Sequence, residues 1–438
     1  MTASATRTVP APDTRPPRSP RAGAPEGSLR GGGAGIVWGG RTGAFGPLRL
    51  HQLVLFEIAG ALLLCAWVVD PLLPAVASVP AALLVAFAVV RRRRRSLPAL
   101  LHAVLALRAR HRRAASAGPV TGAEPGLAPV VECEPALRTY SFGGRDRRPV
   151  GMIGDGTYLT AVLRIDAAGT ALRPERSARP LPLALVRDAL DVDGIRLESA
   201  QIVQHTQPAP APHLPVDSLP ARNYAPLQGR TGSPAVRITW VALRLAPELC
   251  QEAVRARGGG LTGTQKCLVR AADQLAGRLA GAGLSATVLT EQELTAAIAT
   301  SACANPSVPA RAGQDGAPVR RTRETSRTWQ CDDRMHTTYW VRRWPDLGGG
   351  GAAMPQLVAL LTSVPALATT FSLTLGRGDR QETTLTGHVR VTGRNDQELR
   401  SARHELERTA GGVKTSLVRL DREQLPGVLA TLPLGGTR

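Results

Sequence analysis

The sequence predicts a membrane-anchored α/β (α+β) protein, in which two transmembrane helices precede a mixed α/β cytoplasmic domain. Two apolar runs, residues 53–69 and 72–90, contain Glu57 as their only charged residue. Five consecutive arginines follow the second run, and strand-like and helix-like segments alternate from about residue 131. Each run approaches the roughly 20 apolar residues that a helix needs to cross a hydrocarbon layer of ~30 Å.

The charges around the two runs predict their orientation. Asp70 and Pro71 separate the runs, which suits a sharp turn at the far side of the membrane. Basic residues flank only the outer ends of the pair, so both termini and the main domain are expected in the cytoplasm, with the protein in the plasma (inner) membrane. The cluster expected to set this orientation consists of Arg91, Arg92, Arg93, Arg94 and Arg95.

Two other interpretations of the apolar stretch remain open. Residues 75–77 (AVA) resemble a signal-peptide cleavage site, but the apolar region starts some fifty residues from Met1 and is too long for a signal peptide. A buried hairpin of a soluble domain is the second alternative, although such uncharged runs beside five arginines are rare in soluble cores. Glu57 is interpreted as an interfacial carboxylate, or as a contact for a partner helix.

The positive charge is concentrated before residue 114. The chain has a net charge of +20, and residues 1–113 hold 16 arginines against four acidic residues. Aromatic residues make up 3% of the chain, so the interleaved aromatic and basic pattern of a nucleic-acid surface is missing, and no nucleic-acid partner is expected. An anionic inner membrane leaflet is the expected partner of this charge. Six dispersed cysteines without a CxxC motif predict free thiols.

Composition divides the chain into five segments. Residues 1–47 form a Pro/Gly/Arg-rich tail that is predicted to be disordered, and residues 48–95 are the transmembrane hairpin with its basic flank. Residues 96–130 predict an amphipathic basic helix, lying on the leaflet or against a partner, and a linker. Residues 131–305 predict a cytoplasmic α/β subdomain and residues 306–438 a second, α+β subdomain.

The predicted cytoplasmic elements follow hydrophobic periodicity and turn residues. A hairpin is expected around Asp155-Gly156, a strong strand over 235–245 and a long helix over 261–280. The order of strand, helix, strand and helix between 235 and 300 favours crossover units. A capping box is expected at Asn395 and Glu398.

Three patterns are candidates for chemistry, and none predicts a catalytic set, a cofactor or a metal. Asp191 and Asp193 match the two-carboxylate pattern that holds a divalent ion in nucleotide-sugar transferases, but this triplet often occurs by chance, and a solvated turn before Gly194 is the favoured interpretation. Residues 258–266 (GGGLTGTQK) fail as a nucleotide loop because Cys267 stands where Ser or Thr should bind magnesium. The cluster of Cys331, Asp332, Asp333 and His336 lacks further metal ligands, and residues 377–379 (RGD) are interpreted as a turn.

The order of several blocks resembles the EccE family, a core membrane component of the actinobacterial type VII (ESX) secretion machinery. The resemblance covers roughly residues 50–435 and rests on the two spans, the arginine cluster and three later blocks, 151–166, 237–260 and 265–301. It implies a non-enzymatic subunit of an inner-membrane complex with EccB, EccC and EccD, whose cytoplasmic domain contacts that of EccD. It also implies a glycosyltransferase-like α/β fold without its active site.

Two functions follow as hypotheses. The first is a non-catalytic structural subunit of the type VII secretion complex, and the second is a membrane-anchored glycosyltransferase-like enzyme with a metal at Asp191 and Asp193.

Overall fold

The computed structural model describes most of the chain after residue 49 and one short strand before it. The described ranges are 36–38, 50–69, 73–89, 91–92, 95–118, 123–143, 148–167, 180–207, 217–219, 222–223, 236–308, 320–345, 354–378 and 382–436. The predicted disordered tail therefore lies outside the described residues, except for its strand at 36–38.

Helices and strands alternate along the chain. The helices are α1 (Leu50–Val69), α2 (Leu73–Val89), α3 (Leu97–Ser116), α4 (Ala128–Val131), α5 (Leu183–Asp188), α6 (Gln251–Ala256), α7 (Gly260–Gly281), α8 (Glu291–Ala302), α9 (Met354–Thr362), α10 (Asp396–Gly412) and α11 (Gln424–Leu429). The strands before residue 200 are β1 (Ile36–Trp38), β2 (Arg91–Arg92), β3 (Arg95–Ser96), β4 (Arg138–Phe142), β5 (Val150–Gly154), β6 (Leu159–Ala167), β7 (Asp191–Val192), β8 (Ile195–Arg196) and β9 (Ser199–Gln207). Those after it are β10 (Val236–Leu245), β11 (Leu284–Val288), β12 (Thr322–Glu324), β13 (Trp329–Cys331), β14 (Arg334–Arg343), β15 (Ala368–Arg377), β16 (Thr383–Gly393) and β17 (Ser416–Arg419).

One sheet of 13 strands organises the globular part, in the order β12-β13-β14-β16-β15-β9-β10-β6-β5-β4. β17 lies beside β14, β11 beside β6 and β1 beside β16. Among the described strands, the pairing of β1 with β16 is parallel and every other pairing in this sheet is antiparallel. The predicted mixed α/β domain is confirmed, and its sheet is largely antiparallel.

Helices cover both faces of this sheet. Alternate side chains of a strand point to opposite faces, so Val241 and Leu243 of β10 lie in one core and Trp240 and Ala242 in another. The first and larger core is completed by α7, α9 and α10. The second is completed by α4, α8 and α11. The domain is thus a three-layer sandwich of helices, sheet and helices.

The order of strand, helix, strand and helix predicted for residues 235–300 is present, as β10, α6 with α7, β11 and α8. β10 and β11 both pair antiparallel with β6, so they run in the same direction, but β6 lies between β10 and β11. The helical connection therefore crosses over one antiparallel strand. The hydrophobic pattern predicted each of these elements correctly, but it carries no information about which strand lies between β10 and β11.

Strands from the two predicted subdomains pair directly. β9 precedes the predicted boundary at 305 and β15 follows it, and eight consecutive residue pairs join them, from Thr369↔Thr206 to Gly376↔Ser199. The larger core also draws side chains from both segments. The sheet is therefore continuous across the boundary expected from the sequence.

Helices α1 and α2 pack against each other through small residues. Ala59 and Ala81 are each 3% exposed, whereas large apolar side chains such as Trp67, Val68 and Val76 are more than 60% exposed. In the part of the chain that the structure describes, no helix combines the length and the apolar character needed to cross a bilayer. The two predicted spans therefore stay a prediction.

The arginine cluster falls mostly outside the described side chains. Arg91 and Arg92 form β2, which pairs antiparallel with Arg95 and Ser96 of β3. Residues 93–94 and the side chains of all five arginines lie outside the described part, so the orienting role of the cluster stays a prediction. In the segment 96–130, where the sequence predicts an amphipathic helix and a linker, the structure has α3 (Leu97–Ser116).

Candidate interaction site

The best-defined polar contact between distant segments joins α3 to the globular domain. Arg110 donates two hydrogen bonds to the carboxylate of Glu324, from Nε to Oε2 at 2.7 Å and from Nη2 to Oε1 at 2.9 Å. The side chains are only 19% and 6% exposed, so water screens this bidentate pair weakly. The pair therefore fixes the position of α3 on the domain.

Backbone contacts extend the same junction to α11. Arg110 Nη2 also donates to the carbonyl oxygen of Arg422 at 2.7 Å, and Leu425 N donates to Glu324 Oε1 at 3.0 Å. His111 Nε2 lies 3.0 Å from the carbonyl oxygen of Glu324. One carboxylate thus joins three elements, α3, β12 and α11, that are far apart in sequence.

A second carboxylate protects the sheet edge beside this junction. Glu132 accepts hydrogen bonds from the backbone N–H groups of Arg321 and Thr322, at distances of 2.9–3.0 Å, and one from the Thr322 hydroxyl at 2.8 Å. These bonds occupy N–H groups at the β12 edge that would otherwise attract another strand.

Arg321, just before β12, binds the turn between β13 and β14. Its guanidinium donates to both carboxylate oxygens of Asp332 at 2.8 Å, and the Asp332 side chain is fully buried. Burial acts to lower the pKa of Arg321, but the hydrogen bond and charge of Asp332 outweigh it, and the pKa is raised.

An open groove of about 820 Å³ lies along the junction, between α3 from Leu107 onward and the β12 and α11 segments. Its wall combines apolar side chains such as Trp329 and Leu429 with charged ones of both signs. The charged residues are Arg110, Arg113, Arg320, Arg323, Glu132, Glu134 and Glu324. Because both signs are present, the groove does not select a small ion by charge.

The sheet face beneath α8 and α11 is unusually polar, and we call it the polar face. Its buried side chains come from β9, β14, β15 and β16, namely Gln201, His205, His336, Thr338, Thr370, Ser372, Arg390 and Thr392. Arg390 lies at its centre, directly opposite Thr370 on β15 and Thr338 on β14.

Arg390 is a fully buried cation. Its Nη2 group donates to the carbonyl oxygen of Ser301 and to the Thr370 hydroxyl, the latter at 3.2 Å. Ser301 lies in the last turn of α8, where the helix dipole is negative and stabilises a cation. Nε and Nη1 have no acceptor among the described residues. Burial lowers the pKa of Arg390 to about 10, so the group remains charged at neutral pH.

The histidines on the polar face are neutral. Burial, assisted by the charge of Arg390, lowers the pKa of His205 to about 4, and its Nδ1 lies 2.9 Å from the Thr370 hydroxyl oxygen. Burial also lowers the pKa of His336 well below its usual value. Arg390 is consequently the one residue of the eight that is charged at neutral pH.

The C-terminal segment covers the other half of the polar face. Gln201 donates to the Ala430 carbonyl at 2.9 Å and accepts from Gly435 N at 2.8 Å. Gly435 has a φ of 89°, and a Cβ there would lie 2.5 Å from Arg244 Cβ. Only glycine fits this position. Arg244, stacked on Tyr158 at 3.5 Å, donates to the Gly436 carbonyl at 3.0 Å.

The structure places Asp191 and Asp193 in an exposed β-hairpin with a two-residue turn, and an arginine side chain binds each of the two carboxylates. Arg270 donates twice to Asp193 Oδ2, at 3.0 and 2.8 Å, and Arg377 Nη2 donates to Asp191 Oδ2 at 3.2 Å. Asp193 and Gly194, at φ 51° and 75°, form the turn between β7 and β8. Nothing in this geometry favours the metal-dependent transferase.

The cluster at 331–336 is divided among separate structural roles. Asp332 pairs with Arg321 and Asp333 with Arg334, while His336 Nδ1 contacts the Thr392 hydroxyl at 2.9 Å. Burial raises the pKa of Cys331 well above its usual value, which keeps the thiol protonated. Within the described ranges, no group of three His, Cys, Asp or Glu residues is arranged to hold a metal.

The remaining sequence patterns also have structural explanations. Gly258, Gly259 and Gly260 all have positive φ and connect α6 to α7. Arg377 of the RGD tripeptide donates to the carbonyl oxygens of Leu197 and Leu190, and Asp379 lies outside the described residues. All six cysteines are free, as predicted.

Sequence analysis did not identify Arg110, Glu324 or Arg390. The basic end of α3 indicated membrane contact, and nothing in it distinguishes Arg110 from its three neighbouring arginines. Arg390 lies in a regular alternation, Thr384, Thr386, His388, Arg390 and Thr392, that usually marks a solvated sheet face. β15 has a similar alternation of polar residues. This similarity was the sequence signal that β15 and β16 share one buried face.

Together, these features define a class of protein: a three-layer α/β domain fixed by a weakly screened ion pair to a helix that follows an apolar helical hairpin.

Comparison with protein families places part of the chain more specifically. Residues 233–341 match the family described as "Putative type VII ESX secretion system translocon, EccE". The match spans 109 of the 438 residues, from β10 through most of β14, and includes Glu324 and the last turn of α8. The EccE resemblance found in the sequence is confirmed on this segment, where the chain is similar to a type VII secretion system component. A search of curated proteins gave no match.

Proposed function

We propose that this chain is a non-catalytic structural subunit of the inner-membrane complex of type VII secretion. Its hairpin anchors it in the membrane, both termini and the globular domain face the cytoplasm, and the domain contacts the neighbouring components EccB, EccC and EccD. The proposal rests on the family match at residues 233–341. This segment supplies a central strand and one edge of the sheet.

The surface of the hairpin supports membrane anchoring. Large apolar side chains of α1 and α2 point outward, and the most exposed are Leu64, Trp67, Val68, Val69, Val76, Val79 and Leu83. Exposed apolar side chains along two packed helices are unfavourable in water and favourable in hydrocarbon. Ala59 and Ala81 permit the close approach that is common between membrane helices.

Strand β1 supports the proposed topology. It precedes α1 in the chain and pairs with β16 of the globular domain, from Ile36↔Thr383 to Trp38↔Leu385. The other end of the hairpin leads through α3 to the same domain. Both ends of the hairpin are therefore connected to the globular domain. A two-span topology with cytoplasmic termini requires that both ends lie on the same side of the membrane as this domain.

Affinity purification of the full-length chain from membranes tests the assignment. We expect EccB, EccC and EccD in the eluate and loss of substrate export when the gene is deleted. Normal export in the deletion strain would contradict a structural role, and so would an eluate without these components.

A charge swap tests whether the domain must be fixed to its anchor. Glu324→Arg places two guanidinium groups at the junction, so we expect reduced export with the protein still in the membrane. Arg110→Glu combined with Glu324→Arg restores an ion pair of reversed polarity but not the hydrogen bonds to Leu425 N and the Arg422 carbonyl, so export is expected to recover only in part. Export at the wild-type level in the Glu324→Arg variant would show that the ion pair is not what matters.

A further inference from the structure

Helix α3 has two opposite faces with different chemistry. The face toward the domain contains Ala103, Leu107, Arg110 and Ala114, spaced at intervals of four, three and four residues. Ala103 is 1% exposed, and Arg110 makes the ion pair with Glu324. Leu107, Arg110 and Ala114 line the groove described above, so this face is directed toward the domain.

The opposite face contains Leu101, Leu105, Arg108 and Arg112, with the same spacing, half a turn away. Leu101 and Leu105 are 51% and 53% exposed, and Arg108 and Arg112 are exposed as well. Neither arginine has an ion-pair partner in the described part of the chain. The stripe is thus an unpartnered surface with leucines toward the hairpin and arginines further along.

The composition and position of this stripe indicate what covers it. Leucines beside arginines on one helical face match the boundary between acyl chains and anionic headgroups. The stripe begins at Leu101, twelve residues after the end of α2, whose apolar side chains are exposed. A water-facing helix would not need the leucines, and an apolar protein groove would not suit the two free guanidinium groups.

We propose that the outer face of α3, formed by Leu101, Leu105, Arg108 and Arg112, binds the surface of an anionic lipid bilayer. This proposal rests on the membrane anchoring proposed above and identifies the surface that meets the leaflet. The helix is then held between lipid on one face and the domain on the other, so the domain has a fixed tilt relative to the membrane.

Quenching by brominated lipids tests the contact in the full-length protein. A fluorescent amino acid is introduced by codon suppression at position 105 and, in separate samples, at positions 64 and 261. The protein is reconstituted in vesicles of phosphatidylcholine with or without phosphatidylglycerol. Leu261 on α7 is the matched control, because it is 50% exposed, close to the 53% of Leu105. Position 64 on α1 reports insertion of the hairpin.

We expect quenching at position 105 in vesicles with phosphatidylglycerol, less in phosphatidylcholine alone, and none at position 261. The double variant Arg108→Gln, Arg112→Gln should weaken the contact about thirtyfold, since each arginine near an anionic surface adds a roughly equal favourable increment. The control double variant Arg278→Gln, Arg327→Gln, which removes two exposed arginines elsewhere, should leave quenching unchanged.

Each failure has a separate meaning. Quenching at position 64 without quenching at position 105 overturns this proposal and leaves the anchor in place. Absence of quenching at both positions overturns the anchor as well. Equal quenching at position 105 in the two vesicle types, or no effect of the Arg108/Arg112 variant, overturns the assignment of an anionic surface.

Discussion

The two faces of the central sheet are buried to a similar degree but are stabilised in different ways. Against α7, α9 and α10 the strands present Leu, Val and Phe side chains, and the burial of their apolar area stabilises this face. Against α8, α11 and the C-terminal segment, β9, β14, β15 and β16 present Thr, His, Gln and Arg, whereas β5, β6 and β10 present apolar side chains there. On these four strands, buried polar atoms depend on hydrogen-bond partners, and an atom left without one, such as Nε of Arg390, costs free energy.

The two faces are therefore expected to tolerate substitutions differently. The apolar face depends on volume and accepts another side chain of similar size. The polar face depends on individual hydrogen bonds, such as those of Gln201 with Ala430 and Gly435. The following substitutions test this distinction, in order of decreasing expected effect.

Loss of volume on the apolar face should have the largest effect. Leu268 of α7 is fully buried, so Leu268→Ala is expected to lower the free energy of unfolding by about 2–5 kcal/mol. Leu268→Met, of similar volume, should cost less than about 1.5 kcal/mol. Chemical denaturation of the full-length protein in detergent measures both. The exposed Leu261→Ala on the same helix serves as the reference, and a loss there as large as at position 268 would refute the argument.

Acid should destabilise the polar face. The pKa of His205 is about 4 in the folded protein and 6.5 in its ordinary state, so below pH 6.5 the unfolded chain binds more protons. Stability is therefore complete above pH 6.5 and falls as the pH approaches 4, by up to about 3 kcal/mol for this residue. Unfolding titrations across this range should show a shallower decline for His205→Gln. The exposed His404→Gln should retain the wild-type profile, and parallel profiles for all three proteins would contradict the prediction.

A substitution that preserves shape should separate the two faces most directly. Thr370→Val keeps the volume but removes the hydroxyl that contacts both Arg390 and His205. We expect a loss of about 1–3 kcal/mol, because buried donors are left unpaired. The unfolding midpoint in urea provides the measurement. If Thr370→Val is no more harmful than Leu268→Met, the polar face does not depend on individual hydrogen bonds.

The exposed Asp191–Asp193 hairpin should respond least. Asp193→Asn weakens a contact with Arg270 in which both side chains are largely in water, so the change in stability should stay within about 0.5 kcal/mol. Isothermal titration of the wild-type protein with manganese and nucleotide sugars should give no binding heat. Heat that disappears in Asp193→Asn would instead revive the transferase hypothesis.

Local features of the fold were predictable from sequence because their causes are local. Asp155 and Gly156 form the turn between β5 and β6, with Gly156 at a φ of 96°. Asn395 caps α10 by accepting from Glu398 N at 2.8 Å. The predicted return bond differs, since the Glu398 carboxylate accepts from Arg394 N at 2.9 Å.

Long-range features were not predictable in the same way. The pairing of β9 with β15 joins residues more than 160 positions apart, and neither strand's pattern specifies the other. The junction pair has the same problem, since Arg110 and Glu324 are 214 positions apart. Periodicity correctly distinguished strands from helices, but the burial of a polar alternation depends on a second element that a single sequence does not reveal.

The pairing of β9 with β15 also has a consequence for biosynthesis. β9 is complete once the ribosome has added residue 207, and β10 can pair with one of its edges soon afterwards. The other edge of β9 stays unpaired until residue 368 and those after it emerge. At ordinary translation speeds this interval lasts roughly ten to thirty seconds. During that time the nascent chain exposes an unpaired edge of β9, which can pair with a wrong strand until β15 arrives.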